Sequence, residues 1–279
     1  MNDNYFKFDV DANGILALTE DNVTRINFII ENDSNYRIYN DKNNSSSVYN
    51  FIKCNKNKLP WEIDDIETIV TEIDKQNSTH QDSLGVKKDA GNPTAKNNGG
   101  RRKTAEYIYN ISNLYERLEI GDASLVDEIA KALYKSDGGG RYTFSFASKF
   151  CTFVSNALYD NDKYSIYDKV LNDVLPYYAW AYLGKDCYFG RTKSKIGKVF
   201  GIEEKNGNYK DYRQLIDDII NRNKELTGYL ISRRDFDHLL WYYFKGDRDI
   251  KNNENNEYLH TSRTTIALKI VGNKNTVLK

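Results

Sequence analysis

The sequence predicts a mainly α-helical protein, and three observations carry that expectation. Apolar residues recur at the helical period over the middle of the chain, first at Tyr107, Ile108, Ile111, Leu114, Tyr115 and Leu118, then at Leu125, Val126, Ile129 and Leu133. Capping signals bracket a later apolar run: Ser232 with Asp235 three residues on, and Gly246 at its far end. Strand-like runs are short and peripheral. "VTRINFII" reads equally as strand or short helix, and "TTIALKIV" near the C-terminus reads as a late strand.

In chain order, residues 1–76 form a variable N-terminal region of polar loops and short apolar pieces. Within it "DDIETIVTEIDK" is a helix, with Ile66, Ile69 and Ile73 at helical spacing. Residues 77–103 have no periodicity and are rich in Asn, Gly, Ser and Lys, the composition of a mobile loop or linker. They carry Lys87, Lys88, Lys96, Arg101, Arg102 and Lys103 against Asp82 and Asp89. A solvated tether and a phosphate-touching basic arm are both compatible with that stretch. Residues 104–250 are the helical core. "SDGGG" at 136–140 ends one helix, and the next runs from Ser145 or Ser148 to Tyr159. Asp168 opens another, which Pro176 should kink or end near Leu175. "YRQLIDDIINRNKEL" is amphipathic through Leu215, Ile216, Ile219 and Ile220. Residues 251–279 form a C-terminal tail.

Composition narrows the class. The 279 residues suffice for a sizeable core. With 22 tyrosines and 12 phenylalanines, aromatic rings must fill much of it. Forty basic residues balance 40 acidic ones, so any nucleic-acid affinity must come from local patches. Cys54, Cys151 and Cys187 are widely separated, which argues against a disulfide framework and a structural zinc site. The N-terminus lacks the layout of a signal peptide and no apolar run approaches a membrane span, so the expected location is the cytoplasm, with no membrane partner.

Lys149 and Asp168 open two successive helices. A helix of eleven residues from Lys149 is about 16 Å long, while residues 160–167 can extend about 26 Å. The connection is therefore long enough to return along the helix and bring Asp168 to the end that carries Lys149. Two readings of the pair stand side by side. In one, Lys149 is an ordinary helix lysine and Asp168 an N-cap for "KVLNDVL". In the other, a partly desolvated amine acts as a nucleophile that forms a Schiff base, and the carboxylate stabilises an oxocarbenium-like sugar.

The wording around the pair, "SFASKFCTF" followed by "YSIYD", resembles the helix-hairpin-helix DNA glycosylase superfamily, in particular its 8-oxoguanine DNA glycosylase-like branch. In that branch a catalytic lysine opens a helix and an aspartate follows nineteen positions later, the interval from Lys149 to Asp168. The wording also resembles bacterial glycosylase-like proteins associated with phage defence. The likeness is close over about 25 residues and extends by helix order over the core. Two features depart from the pattern. "FSFAS" stands where a glycine-rich hairpin would precede the lysine, with Gly138, Gly139 and Gly140 several residues upstream. Ile166 and Tyr167 replace a proline-containing step.

The resemblance implies a DNA N-glycosylase, with or without lyase activity, in DNA repair or phage defence. It implies double-stranded DNA with a damaged or modified base as partner, a monomer, and no metal or organic cofactor. Lys149 and Asp168 would be catalytic. From the path of the returning loop, Phe144 and Phe146 would line the cleft and so the pocket for the extruded base; Trp241, Tyr242 and Phe244 read as core by spacing, with Trp241 as the ring that could stack on that base. A basic, glycine-containing stretch, "YFGRTKSKIGKVFG", offers Arg191, Lys193, Lys195 and Lys198 to a DNA backbone; a solvated surface loop is its plainer reading. His238, within "DFDHLLWYYF", reads as structural rather than catalytic, and Asp235 and Asp237 read as capping residues, with a base as the sharper alternative. The rival functions are a non-catalytic DNA-binding protein of the same fold and a helical protein-interaction module.

Overall fold

The computed structural model describes residues 8–12, 14–32, 48–77, 99–133, 142–185 and 208–245. Among them the protein is mainly helical, with no strand and one isolated antiparallel bridge between Val10 and Leu16. The chain divides into two compact units. One comprises Ile38–Tyr167 and Glu204–Lys210; it contains Lys149 and is called the lysine unit. The other comprises Met1–Arg37, Asp168–Glu203 and Asp211–Lys279, and is called the aspartate unit.

The lysine unit holds α2 (Val48–Cys54), α3 (Ile63–Asn77), α4 (Gly99–Tyr109), α5 (Leu114–Ile120), α6 (Ala123–Ile129) and α7 (Phe144–Tyr159). Its centre is α7, which packs against α2, α3, α5 and α6. The sequence of α7 explains that position. Its apolar residues do not keep to one stripe, and eleven of its 16 residues are buried, among them Phe144, Phe146, Phe150 and Val154. A helix apolar on most sides is stable only when covered on most sides. Helix α3 buries Ile66, Ile69, Val70 and Ile73, the stripe its spacing predicts.

Two local departures from the sequence reading have clear causes. Arg101, Arg102 and Lys103, grouped with the preceding loop by composition, form the first turns of α4. Arg101 meets the buried Asp74 of α3 at 2.8 Å, and Arg102 pairs with Glu67 at 2.9 Å and with Asp64 and Glu106. These arginines staple α4 to α3. The helical period from Tyr107 to Leu118 is broken between α4 and α5, where Asn113 adopts φ 54°, a left-handed conformation that asparagine tolerates.

The aspartate unit holds α1 (Glu20–Asn32), α8 (Lys169–Leu183), the greater part of α9 (Tyr209–Thr227) and α10 (Arg233–Lys245), with α10 packed on α1 and α8. "VTRINFII" is thus helical, within α1. Helix α8 does not stop at Leu175: it runs through Pro176 to Leu183 and closes on Gly184 at φ 62°. Proline removes one hydrogen bond from the ladder. Beyond it Tyr178, Ala179 and Tyr182 are buried, so packing carries the helix past the break. The two tyrosines also serve the N-terminal loop, with Tyr178 Oη donating to the Leu16 carbonyl at 2.9 Å and Tyr182 Oη accepting from the Leu18 N–H at 3.4 Å. The Ser232–Asp235 cap forms as its spacing predicts, the Asp235 N–H donating to Ser232 Oγ at 3.0 Å. "TTIALKIV" lies outside the described residues.

Among the described residues no helix is long and apolar enough to cross a membrane.

Candidate functional site

Lys149 is the sixth residue of α7 and is 7% exposed. Lysine is rarely buried to this degree, because removing an ammonium from water is costly. Long side chains on a helix lean toward its N-terminus, and Lys149 does so: its Nζ donates to Ser145 Oγ, one turn earlier, at 2.9 Å. Two positions further along, burial pushes the Cys151 thiol well above its ordinary pKa, so this cysteine is no candidate nucleophile.

Asp168 is the N-cap of α8. Its backbone is extended, and its Oδ1 accepts the Leu171 N–H at 2.9 Å. The side chain is buried, at 8% exposure. The cap occupies one carboxylate oxygen and leaves the other outside the capping bond. The plainer reading of Asp168 as a cap is therefore fulfilled, and it does not exhaust the carboxylate.

The connection from Asp160 to Tyr167 belongs to the lysine unit and is pinned along its length. Asp160 turns the chain off α7 at φ 50°. Asn161 Oδ1 accepts from Ser155 Oγ at 2.7 Å, and Lys163 Nζ donates to the Glu119 carbonyl at 2.8 Å. Tyr164 Oη donates to the carbonyls of Arg117 and Asp122, at 3.0 and 3.2 Å. Tyr209, the first residue of α9, grips Ser165 twice: its Oη accepts the Ser165 N–H at 2.6 Å and donates to the Ser165 carbonyl at 2.7 Å. The Tyr167 N–H then donates to Ser148 Oγ at 2.9 Å. The loop thus returns to the first turns of α7, as its length allows. Its last residue is bonded to the one that immediately precedes Lys149.

The α5–α6 turn supports that path. Gly121 has φ 77°, and a Cβ there would lie 2.6 Å from the Lys163 Cβ. Arg117 meets Asp122 at 2.7 Å and Glu128 at 2.6 Å. Burial acts to raise the Asp122 carboxyl, but hydrogen bonds from Arg117 and Ser124 outweigh it and hold the pKa below the ordinary carboxylate value.

The other sequence-derived candidates fall as follows. Phe144 and Phe146 are each 1% exposed. Phe144 meets Tyr167 and Tyr209 edge-on, at 4.7 and 5.9 Å, and Phe146 lies 6.2 Å from Phe150. Their rings face protein, in the packing around the start of α7. Trp241 is half-buried on α10, 4.8 Å from the Tyr242 ring. His238 is half-buried against Tyr242, at 5.9 Å. Arg191, Lys193, Lys195 and Lys198 lie outside the described residues. Ser145 and Ser148 enter the sequence reading only as helix starts, and Tyr209 does not enter it. The four-residue step from Ser145 to Lys149 is a helical pairing signal that was available, whereas the Ser148–Tyr167 and Tyr209–Ser165 bonds span 19 and 44 residues and left no local trace.

A family model described as HI_0787_N, N-terminal domain, matches residues 26–162, somewhat under half of the chain. The match includes Lys149 and ends before Asp168, and its description names a domain position without an activity. No curated protein and no solved structure matches the chain.

Proposed function

We propose that this protein is a DNA glycosylase that extrudes a damaged or modified base and releases it, with Lys149 as nucleophile and Asp168 as the carboxylate that balances charge. The observation that carries the reading is the connection 160–167. It completes the nineteen-position interval from Lys149 to Asp168 that the resembling branch shows, and it is fixed at its end to the residue before Lys149. The residue so fixed, Tyr167, immediately precedes Asp168 in the chain.

The chemistry follows from the two side chains. Extruding a nucleotide costs a few kcal/mol, least for a base already poorly paired. As the glycosidic bond weakens, positive charge builds on the sugar, and the Asp168 carboxylate stabilises it. The neutral Lys149 amine attacks the anomeric carbon, the carbon–nitrogen bond to the base breaks, and the base leaves with the bonding pair and takes up a proton. A proton then passes from the attached amine to the ring oxygen as the bond between that oxygen and the anomeric carbon breaks, and the nitrogen lone pair forms the C=N bond of the Schiff base. From it β-elimination can cleave the strand. An oxidised purine is the substrate that follows from the resemblance, and a modified phage base is the alternative within the same chemistry.

The test is incubation of the full chain with duplexes carrying different modified bases, followed by alkali. Alkali-labile sites at one modified base support the proposal. Tight binding with no base released from any duplex points to a DNA-binding protein without this chemistry. Absence of DNA binding at low salt removes both nucleic-acid readings.

A further inference from the structure

We propose that Ser145 is a positioning residue for the Lys149 amine, an inference that rests on the reading of Lys149 as nucleophile. Ser145 and Lys149 are four apart on α7 and share a helix face. The lysine stem runs back along the helix, and Nζ lies 2.9 Å from Ser145 Oγ. The amine is buried, whereas Ser145 is half-exposed at the second position of the helix. A mobile four-carbon stem is a poor platform for a nucleophile, because loss of alignment by about 1 Å can cost on the order of 100-fold in rate. A hydrogen bond to a side chain anchored on the first turn of the same helix removes much of that freedom.

The partner's chemistry matters as much as its place. A serine hydroxyl accepts an N–H from an ammonium or from a neutral amine. It therefore holds Nζ in place without requiring the charge, and a neutral amine so held keeps its lone pair for attack. A carboxylate at the same position would instead favour the ammonium through a charge-assisted bond. Ser145 is also distinct from Ser148, whose hydroxyl serves the connection by accepting the Tyr167 N–H.

Two measurements on the full chain test this, with Ser145→Ala and Ser145→Thr beside the wild type. The first is NMR of protein labelled at lysine Cε, with the Lys149 signal assigned by its loss in Lys149→Gln. A held amine keeps its two ε-protons widely split, in the wild type and in Ser145→Thr. In Ser145→Ala the splitting should narrow. The second is borohydride trapping on a duplex with a single abasic site, a probe that needs no knowledge of the excised base. Ser145→Ala should slow adduct formation about tenfold to 100-fold at unchanged DNA affinity, with the threonine variant restoring it. An unchanged ε-proton splitting and wild-type trapping in Ser145→Ala would overturn the assignment. A narrowed splitting in Ser145→Ala, with no adduct even from the wild type, would keep Ser145 as an anchor of the lysine and refute the Schiff-base reading.

Discussion

Replacing Ser148 by alanine tests whether the return of the connection to α7 is held as described. The Tyr167 N–H donates to Ser148 Oγ at 2.9 Å, and the hydroxyl proton faces the Ser145 carbonyl at 3.1 Å. Ser148 is fully buried and Tyr167 is 4% exposed, so water does not readily replace the lost partner. An orphaned buried N–H costs about 1–3 kcal/mol, or roughly 5- to 150-fold in the equilibrium for opening this segment. Ser165→Ala is the matched control. It lies in the same connection, at 3% exposure, yet its Oγ has no hydrogen-bond partner among the described residues. Removing an unsatisfied buried hydroxyl should be neutral or stabilising by up to about 1 kcal/mol. Urea unfolding gives the two free energies, and hydrogen exchange at the Tyr167 amide gives the local one. Equal effects from the two substitutions, or a Ser148→Ala cost under about 0.5 kcal/mol, would show that the Ser148–Tyr167 bond does not hold the connection.

Further outcomes follow from the same structure. Asp168→Asn should keep the α8 cap, since Asn caps about as well as Asp, and leave thermal stability nearly unchanged; base release should fall by orders of magnitude, read by single-turnover alkali cleavage on a DNA that the wild type processes. Gly121→Ala should cost about 2 kcal/mol or more in chemical denaturation, since a left-handed φ costs about 1–2 kcal/mol for an L-residue and the new Cβ would meet Lys163 at 2.6 Å. Gly184→Ala, at φ 62° with no atom within 4 Å, should show only the conformational cost. The Asp122 carboxyl lies below its ordinary pKa in the folded state, so its contribution is present above the unfolded value and is lost as pH falls through the folded one. Asp122→Asn should therefore flatten the acid limb of a stability-against-pH curve; an unchanged limb would separate that carboxylate from the acid response.

The helices were legible where apolar spacing and capping chemistry agreed. Ile66, Ile69 and Ile73 define a face whatever surrounds them, and Ser232 with Asp235 fixes the start of α10 through a local bond. The errors arose where distant packing decided the outcome. Pro176 signals a helix end, and only the burial of Tyr178, Ala179 and Tyr182 carries α8 beyond it. Arg101 and Arg102 look like part of a basic loop until Asp74 and Glu67 of α3 are in view. Lys149 and Asp168 were visible as a spacing and as a resemblance. The sequence did not reveal that both side chains are buried, or that Ser148 and Tyr209 hold the loop between them, because those contacts join residues far apart in the chain.

The most direct measurement is the location of a borohydride-reduced protein–DNA adduct. The full chain would be incubated with a duplex from which it releases a base, reduced, digested, and the modified peptide sequenced by mass spectrometry. Only an amine can form the Schiff base that reduction traps. The expected result is a single modified peptide with the sugar remnant on Lys149, and no adduct from Lys149→Gln at retained DNA affinity. An adduct on another lysine or on the N-terminal amine, or base release unchanged in Lys149→Gln, would contradict it.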